Sequence, residues 1–384
     1  MSNFHLDWAA GAGAQIEVFN PGAESAYQLK YTPPFRRTIR PPLQQLQLGP
    51  GQLDGLSTQL DEVVNSAGGG RGTAKVVQSA EDAVENQLRT TGGQLFDFII
   101  PSDVSLDLHS AGLFLEFGVE EDLVQYPWEL MHDGEDYIAL KHFLGRYVNS
   151  SSGKMVPINT PKFVSSEKLK ILLVCSSNPQ PRIAGVPIER LTWAETEAER
   201  LVELLSDLSG VELRVLKNNN PADPATFDNV YNALKQGCHI FHYTGHAYFD
   251  EKFRHRSSLV LWDKDMSAGP VSNFMQKKPP VLCFVNGCET ALNPGWVKNY
   301  NIFSLAQAFL STGAYLLGSR WKLEDIKAAE FAVDFYTALL QEEKSVGEAT
   351  TLARKKLKDR SSANSFAWAS YVLYADPRVC FKQT

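Results

Sequence analysis

The feature that most restricts this chain is a change of pattern near residue 165. Beyond it, short apolar runs alternate with amphipathic stretches: "KLKILLVCSS" (168–177), "TWAETEAERLVELLSDL" (192–208), "VELRVLK" (211–217), "TFDNVYNALKQG" (226–237), "CHIFHYTG" (238–245), "PVLCFVNG" (280–287), "NIFSLAQAFLSTG" (301–313) and "AYLLGS" (314–319). Two more helical stretches follow. A strand that is apolar throughout must be covered on both faces, and amphipathic helices between such strands supply that cover. The pattern therefore predicts an α/β fold with a mostly parallel sheet flanked by helices on both faces. The last helix carries its own start signal, Ser345 with Glu348 three residues on, ahead of a stripe of Val346, Ala349, Leu352, Ala353 and Leu357.

The earlier part of the chain divides in two. Residues 1–91 read as a β-hairpin, "QIEVFN" and "AYQLKYT" around Pro21-Gly22, then a looped Pro-containing stretch and two helices, "GQLDGLSTQLDEVVNSA" and "SAEDAVENQLRTTG". Their role is not legible. Residues 92–165 read as an α+β supporting region, with the strand "LFLEFGV" (113–119) and with Trp128 and Phe143 as core anchors. Glu129, Asp133 and Arg146 are expected there as structural ion-pair members. Residues 166–384 form the larger, doubly covered domain.

Composition narrows the function classes. With 43% apolar and 21% charged residues in 384, the chain is ordinary globular protein, and its net charge of -7 offers no basic footprint for nucleic acid. No run of 18 apolar residues spans a bilayer, and the N-terminus lacks the charged start and apolar stretch of a signal peptide, so a cytoplasmic protein without membrane contact is expected. Five cysteines without a CxxC pair are expected to be free thiols. There is no G-x-S-x-G elbow and no P-loop.

Chemistry is sought at the carboxyl ends of the strands, where an open α/β sheet binds its ligands. His246 is expected just beyond "CHIFHYTG" and Cys288 just beyond "PVLCFVN", each after a glycine, Gly245 and Gly287, that allows a sharp turn. A thiol beside an imidazole is the minimum apparatus for covalent catalysis, and the backbone N–H groups of Ala247 and Cys288 are the candidate oxyanion donors. Metal binding by His239, His242 and His246 is disfavoured because alternation sends His239 and His242 to opposite faces. No metal and no organic cofactor is expected.

The segments "HIFHYTGHAYFD", "VLCFVNGCETA", "IFSLAQAFLSTGAYLLGSRWKLEDIKAAEFAVDFYTALL" and "FAWASYVLYADPRV" resemble, in order and spacing, the CHAT domain, a caspase-like, separase-related cysteine protease family of clan CD. The stretch "YPWELMHDGEDYIAL" extends the resemblance back to about residue 92. The resemblance implies a caspase-like fold and a His–Cys dyad at His246 and Cys288. Two positions depart from the family's usual pattern: Ala247 follows the histidine where glycine is common, and Gly287 precedes the cysteine where alanine is common. Ser319, Arg320, Trp321 and Asp325 are the implied substrate-pocket residues. Arg320 would suit an acidic side chain and Glu324 or Asp325 a basic one, unless Asp325 serves only the N-terminus of the following helix; with Ser319 and Trp321 on one face, alternation turns Arg320 to the other, so cleavage after a basic or large apolar residue and not after aspartate is expected. The resemblance further implies a bacterial signalling or defence protease that cleaves a protein partner and is switched on by an activator or sensor in a separate chain. Latency is expected to involve residues 248–258 or 291–301. The rival from another class is a catalytically silent scaffold of the same fold.

Overall fold

The computed structural model of the chain describes residues 4–19, 28–33, 43–46, 50–67, 74–150, 153–155, 168–180, 188–218, 220–248, 257–275, 277–289, 303–320, 325–360 and 367–383. The first part holds β1 (Phe4–Trp8), β2 (Gly13–Phe19), β3 (Gln28–Thr32), β4 (Leu43–Gln45), α1 (Pro50–Ala67), α2 (Ala74–Ile99), α3 (Ser102–Leu108), β5 (Phe114–Glu120), α4 (Ile138–Lys141), β6 (Phe143–Ser150) and β7 (Gly153–Met155). The second holds β8 (Leu169–Ser176), α5 (Thr192–Ser206), β9 (Val211–Lys217), α6 (Phe227–Gln236), β10 (Ile240–Tyr248), β11 (Ser258–Val260), β12 (Asp265–Ser267) and α7 (Ala268–Met275). It continues with β13 (Leu282–Glu289), α8 (Phe303–Leu310), β14 (Tyr315–Ser319), α9 (Asp325–Tyr336), α10 (Val346–Arg360), β15 (Tyr371–Tyr374) and β16 (Val379–Gln383).

One sheet runs through both parts in the order β9-β8-β10-β13-β14-β15-β6-β5-β2-β3-β4. Strands β9, β8, β10, β13 and β14 are parallel, and β15 lies antiparallel to β14. The far edge of β15 meets β6 in parallel, Tyr374 opposite Arg146, and β6, β5 and β2 continue in parallel. Separately, β1 pairs antiparallel with β16.

Neighbouring side chains on β10 show how the two faces are covered. Phe241 meets Phe309 of α8, and His242 meets Tyr336 of α9. Because successive strand residues point to opposite faces, α8 lies on one side of the sheet and α9, with its neighbours α5 and α10, on the other. The start of α10 is the reciprocal capping box expected for it: Ser345 N–H donates to Glu348 Oε2 at 2.9 Å and Glu348 N–H to Ser345 Oγ at 3.1 Å.

Three expectations change. Helix α2 runs on through Gly92-Gly93, where the sequence suggests a stop; a Cβ at Gly92 would stand 2.2 Å from the carbonyl oxygen of Leu130, so this glycine serves close packing within the helix. Phe143 is only half-buried, its ring 5.0 Å from Phe114, at the start of β6, whose buried run begins at Leu144 and continues through Val148 on both faces. Trp128 is fully buried as expected, its indole N–H donating to Leu123 O at 2.9 Å. Finally, β10 and β13 do not stop at Gly245 and Gly287 but continue through Tyr248 and Glu289, since a further strand, β11, pairs with the end of β10.

Candidate active site

Strands β10 and β13 lie side by side in parallel, and three successive register pairs on one face form a graded column: His242 opposite Phe284, Thr244 opposite Asn286, and His246 opposite Cys288. The first pair is packed core. The second is polar and buried, and the third stands at the carboxyl end of both strands. His246 and Cys288 are thus paired strand residues rather than residues of turns. The backbone of Cys288 is among the described residues; its side chain is not.

The imidazole of His246 is buried, and its Nε2 lies 2.7 Å from the carbonyl oxygen of Glu189, three residues ahead of α5. A carbonyl only accepts, so Nε2 carries the hydrogen and Nδ1 is the basic nitrogen. The backbone of His246 is held as well. The hydroxyl of Tyr243 lies 2.5 Å from the His246 carbonyl and 3.0 Å from that of Val260. Between them Gly245 has φ +156°, and a Cβ there would stand 2.6 Å from Ser176 O and 2.8 Å from Tyr243 Oη. Only a residue without a side chain lets three chain segments approach this closely. Neither Glu189 nor Tyr243 was legible as a site residue, since a carbonyl has no sequence identity and Tyr243 reads as an ordinary strand aromatic.

The two departures from the family pattern meet in space. A Cβ built on Gly287 would stand 2.7 Å from the Cβ of Ala247, too close for both to exist. One methyl fits between the strands at this level, and here β10 supplies it. Ala247 and Cys288 both lie within the strand ladder, Ala247 opposite Leu259 and Glu289.

Beneath the His246–Cys288 pair lies a polar hub. Glu197 of α5, with no exposed surface, accepts from His242 Nε2 at 2.9 Å, Thr244 Oγ1 at 2.8 Å, and Asn286 Nδ2 at 3.0 Å to each carboxylate oxygen. The other nitrogen of His242 is 3.1 Å from Tyr336 Oη. A sequence signal did exist for Glu197: it sits on the buried stripe of α5 with Ala194, Ala198, Leu201 and Leu205.

The other thiols are chemically quiet. Cys175, Cys238, Cys283 and Cys380 are free and buried. Burial pushes Cys175 and Cys238 up to about 12 and Cys380 up to about 11, and Cys283 well above the usual thiol range. A thiol so raised holds its proton at neutral pH and is a poor nucleophile.

The remaining expected site residues are described only in part. Ser319 ends β14, its hydroxyl 3.4 Å from Gly287 O. Arg320 is buried, its backbone N–H donating to Ser370 O at 2.5 Å. Its charge acts on the phenol of Tyr374, which burial pushes up and which Arg146 and Arg320 pull down. Trp321 lies outside the described residues, and Asp325 starts α9 with its side chain outside them. Residues 249–256 and 290–300, which hold most of the loops linked above to latency, also lie outside them. His239 accepts the N–H of Lys170 at the opposite end of β10 from His246, so the three histidines share no site. Among the described residues, His109, Asp133 and Glu135 bring possible ligand atoms within 4.8 Å of one another. The ammonium of Lys141, 2.5 Å from Asp133 and 2.9 Å from Glu135, already occupies that cluster.

The family model of the CHAT domain matches residues 89–376. The chain belongs to the CHAT domain family. The match takes in β5, β6 and the whole of the column described above. None of the curated proteins matches in sequence. Among solved structures, this CHAT chain is similar to the separase of Saccharomyces cerevisiae in its complex with securin, with a TM-score of 0.55 at 12% identity over 94% of this chain. The chain spans 30% of that separase chain. The Arg-specific cysteine proteinase gingipain R matches with a TM-score of 0.48 at 13% identity, over 86% of this chain and 76% of its own. The fold of this CHAT chain is caspase-like. No helix among the described residues is long and apolar enough to cross a membrane.

Proposed function

We propose that this CHAT chain is a cysteine endopeptidase in which Cys288 is the nucleophile and His246 its base. The observation that carries the reading is the register pair itself: His246 and Cys288 are opposite each other in the backbone register at the carboxyl ends of two adjacent parallel strands. The four described thiols are all held protonated by burial, which leaves Cys288 as the one to activate.

In this reading Nδ1 of His246 takes the thiol proton and the thiolate attacks the substrate carbonyl. Of the two expected oxyanion donors, Ala247 has ladder partners on both sides, so the backbone N–H of Cys288 is the one to receive the oxyanion. The tetrahedral adduct collapses as the imidazolium gives its proton to the leaving amine. Water, deprotonated by the same imidazole, then releases the acyl group and restores the thiol. Glu189 O keeps the ring from rotating while its charge changes. Ser319, Trp321 and Asp325 line the pocket before the scissile bond. With Arg320 turned into the protein, a basic or large apolar residue is preferred there. The substrate is a protein partner, the setting is bacterial signalling or defence, and the trigger comes from another chain.

Labelling with an electrophilic peptide tests the reading. Selective modification of Cys288 that disappears in His246→Ala supports it; equal modification of all five cysteines in the folded chain points to a silent scaffold.

A further inference from the structure

We infer that Glu197 is a positioning residue for the His246–Cys288 pair, an inference that rests on the dyad reading above. Helix α5 holds the site twice. Its lead-in carries the Glu189 carbonyl that fixes the His246 ring, and its second turn carries the carboxylate that grips β10 and β13 at Thr244 and Asn286, one register pair below the dyad.

The reason for a carboxylate there is register. Strands β10 and β13 are buried on both faces, so the buried-against-exposed alternation that marks register in a half-exposed strand is absent here, and a polar group on one face supplies the mark instead. A slip of one residue in either strand turns its side chains to the other face of the sheet and so takes residues 246 and 288 off a common face. Packing alone does not call for Glu197: apolar groups of the same shape in place of a buried polar network are often neutral or stabilising. A carboxylate has about four acceptor positions, and here four hydrogen bonds from the two strands reach it. Shifting either strand breaks at least one of them inside the protein, where an unpaired polar group is expensive. The hub therefore acts as a register lock directly under the reacting pair.

The test uses the intact chain and iodoacetamide, with alkylation of Cys288 followed by peptide mapping across pH and thermal unfolding recorded in parallel. Glu197→Gln keeps the volume but turns an N–H donor toward Asn286 and its neighbours. It is expected to slow Cys288 alkylation at neutral pH about tenfold and raise its pH midpoint by about one unit. Thr244→Val, which removes one donor and leaves the carboxylate in place, is expected to slow it about threefold, and it decides the matter if Glu197→Gln does not fold. Adding Asn286→Asp to Glu197→Gln pairs the new donor with a new acceptor and is expected to restore most of the rate. Folded variants with a lowered melting temperature but a wild-type pH profile at Cys288 overturn the inference. His246→Ala separates it from the dyad: if that variant moves the profile and Glu197→Gln does not, the lock is wrong and the dyad stands. If Glu197→Gln moves the profile of a chain that cleaves no peptide bond, the lock stands and the protease reading falls. Indifference of Cys288 to His246→Ala overturns both.

Discussion

In the second half of the sheet Glu197 is met by a histidine, a threonine and an asparagine, whereas in the first half Glu129 is met by two arginines. Arg146 of β6 donates through Nε to Glu129 Oε1 at 2.9 Å and through Nη2 to Oε2, and through Nη1 and Nη2 to the carbonyls of Val124 and Tyr126, each at 3.1 Å. Arg354, from α10 far along the chain, lies 4.0 Å from the same carboxylate and donates to Tyr371 O at 2.6 Å. Burial pulls its guanidinium down to about 10. One hub holds two neighbouring strands in alignment with donors that are mostly uncharged. The other ties the two halves together with three full charges. Alignment of a reacting pair needs direction, which short hydrogen bonds supply. Joining two halves needs strength over imperfect geometry, which charge supplies.

Several variants would break this contrast or sharpen it, and the largest effect belongs to the charged hub. Glu129→Gln leaves two buried guanidinium groups without their counter-charge and should destabilise the fold by about 3–5 kcal/mol in urea unfolding. The pH profile of Cys288 in the folded fraction should stay unchanged; a shifted profile would show that the two hubs are not separate in function.

Acid should act on the first half next. His142 is fully buried and burial pulls its imidazole down to about 4, with Nε2 3.0 Å from Leu108 O. Below about pH 6.5 the unfolded chain takes up a proton here that the folded chain refuses until about pH 4. The stabilisation is therefore complete above about pH 6.5 and is lost as pH falls toward 4, amounting to about 3 kcal/mol across the window. His142→Gln should flatten that loss, which urea midpoints at pH 7 and pH 5 will read; an equally steep loss in the variant would place the acid sensitivity elsewhere.

A smaller and more local effect is expected between β10 and β13. Gly287→Ala crowds Ala247 and should cost about 1–3 kcal/mol. The double variant with Ala247→Gly moves the methyl across and should recover most of that loss. Equal instability of the single and double variants would mean that something other than this contact forbids a side chain at 287.

Smallest is the removal of the nucleophile. Cys288→Ala should end Cys288-dependent cleavage while changing stability by less than about 1 kcal/mol. Cys283→Ala, inside the buried run, should do the reverse, losing roughly 1–3 kcal/mol of stability and little activity. Loss of cleavage in a stably folded Cys283→Ala, with Cys288→Ala active, would identify the other thiol as the nucleophile.

What the sequence disclosed followed from period and local chemistry. The apolar runs of β8, β10, β13 and β14 and the Ser345–Glu348 box are signals contained within a few residues, and they translate directly into elements. Positions 246 and 288 were legible as strand-end groups, but their extension into the ladder was not, because it depends on β11 arriving from another segment. Glu197 illustrates the limit. Its neighbours Glu195 and Glu199 pair on the surface with Arg190 and Lys217, and only its place on the apolar stripe sets it apart. Gly92 and Gly287 have no such local signal, since the atoms that forbid a side chain there belong to Leu130 and Ala247, distant in sequence.

The pairing of β1 with β16 gives the chain an order of assembly. Phe4 finds its partner in Gln383, and the first half reaches the second through β15, at residues 371–374. During synthesis at roughly 5–20 residues per second, β1 is exposed for on the order of tens of seconds before its partner has been made. Strands β8, β10, β13 and β14 all precede that moment, so the sheet around His246 and Cys288 is available to form while the opening strand still waits. Pairing of β1 with β16 then follows formation of that sheet, and refolding should show a slow phase belonging to this long-range pairing, which a chain lacking residues 1–9 would not display.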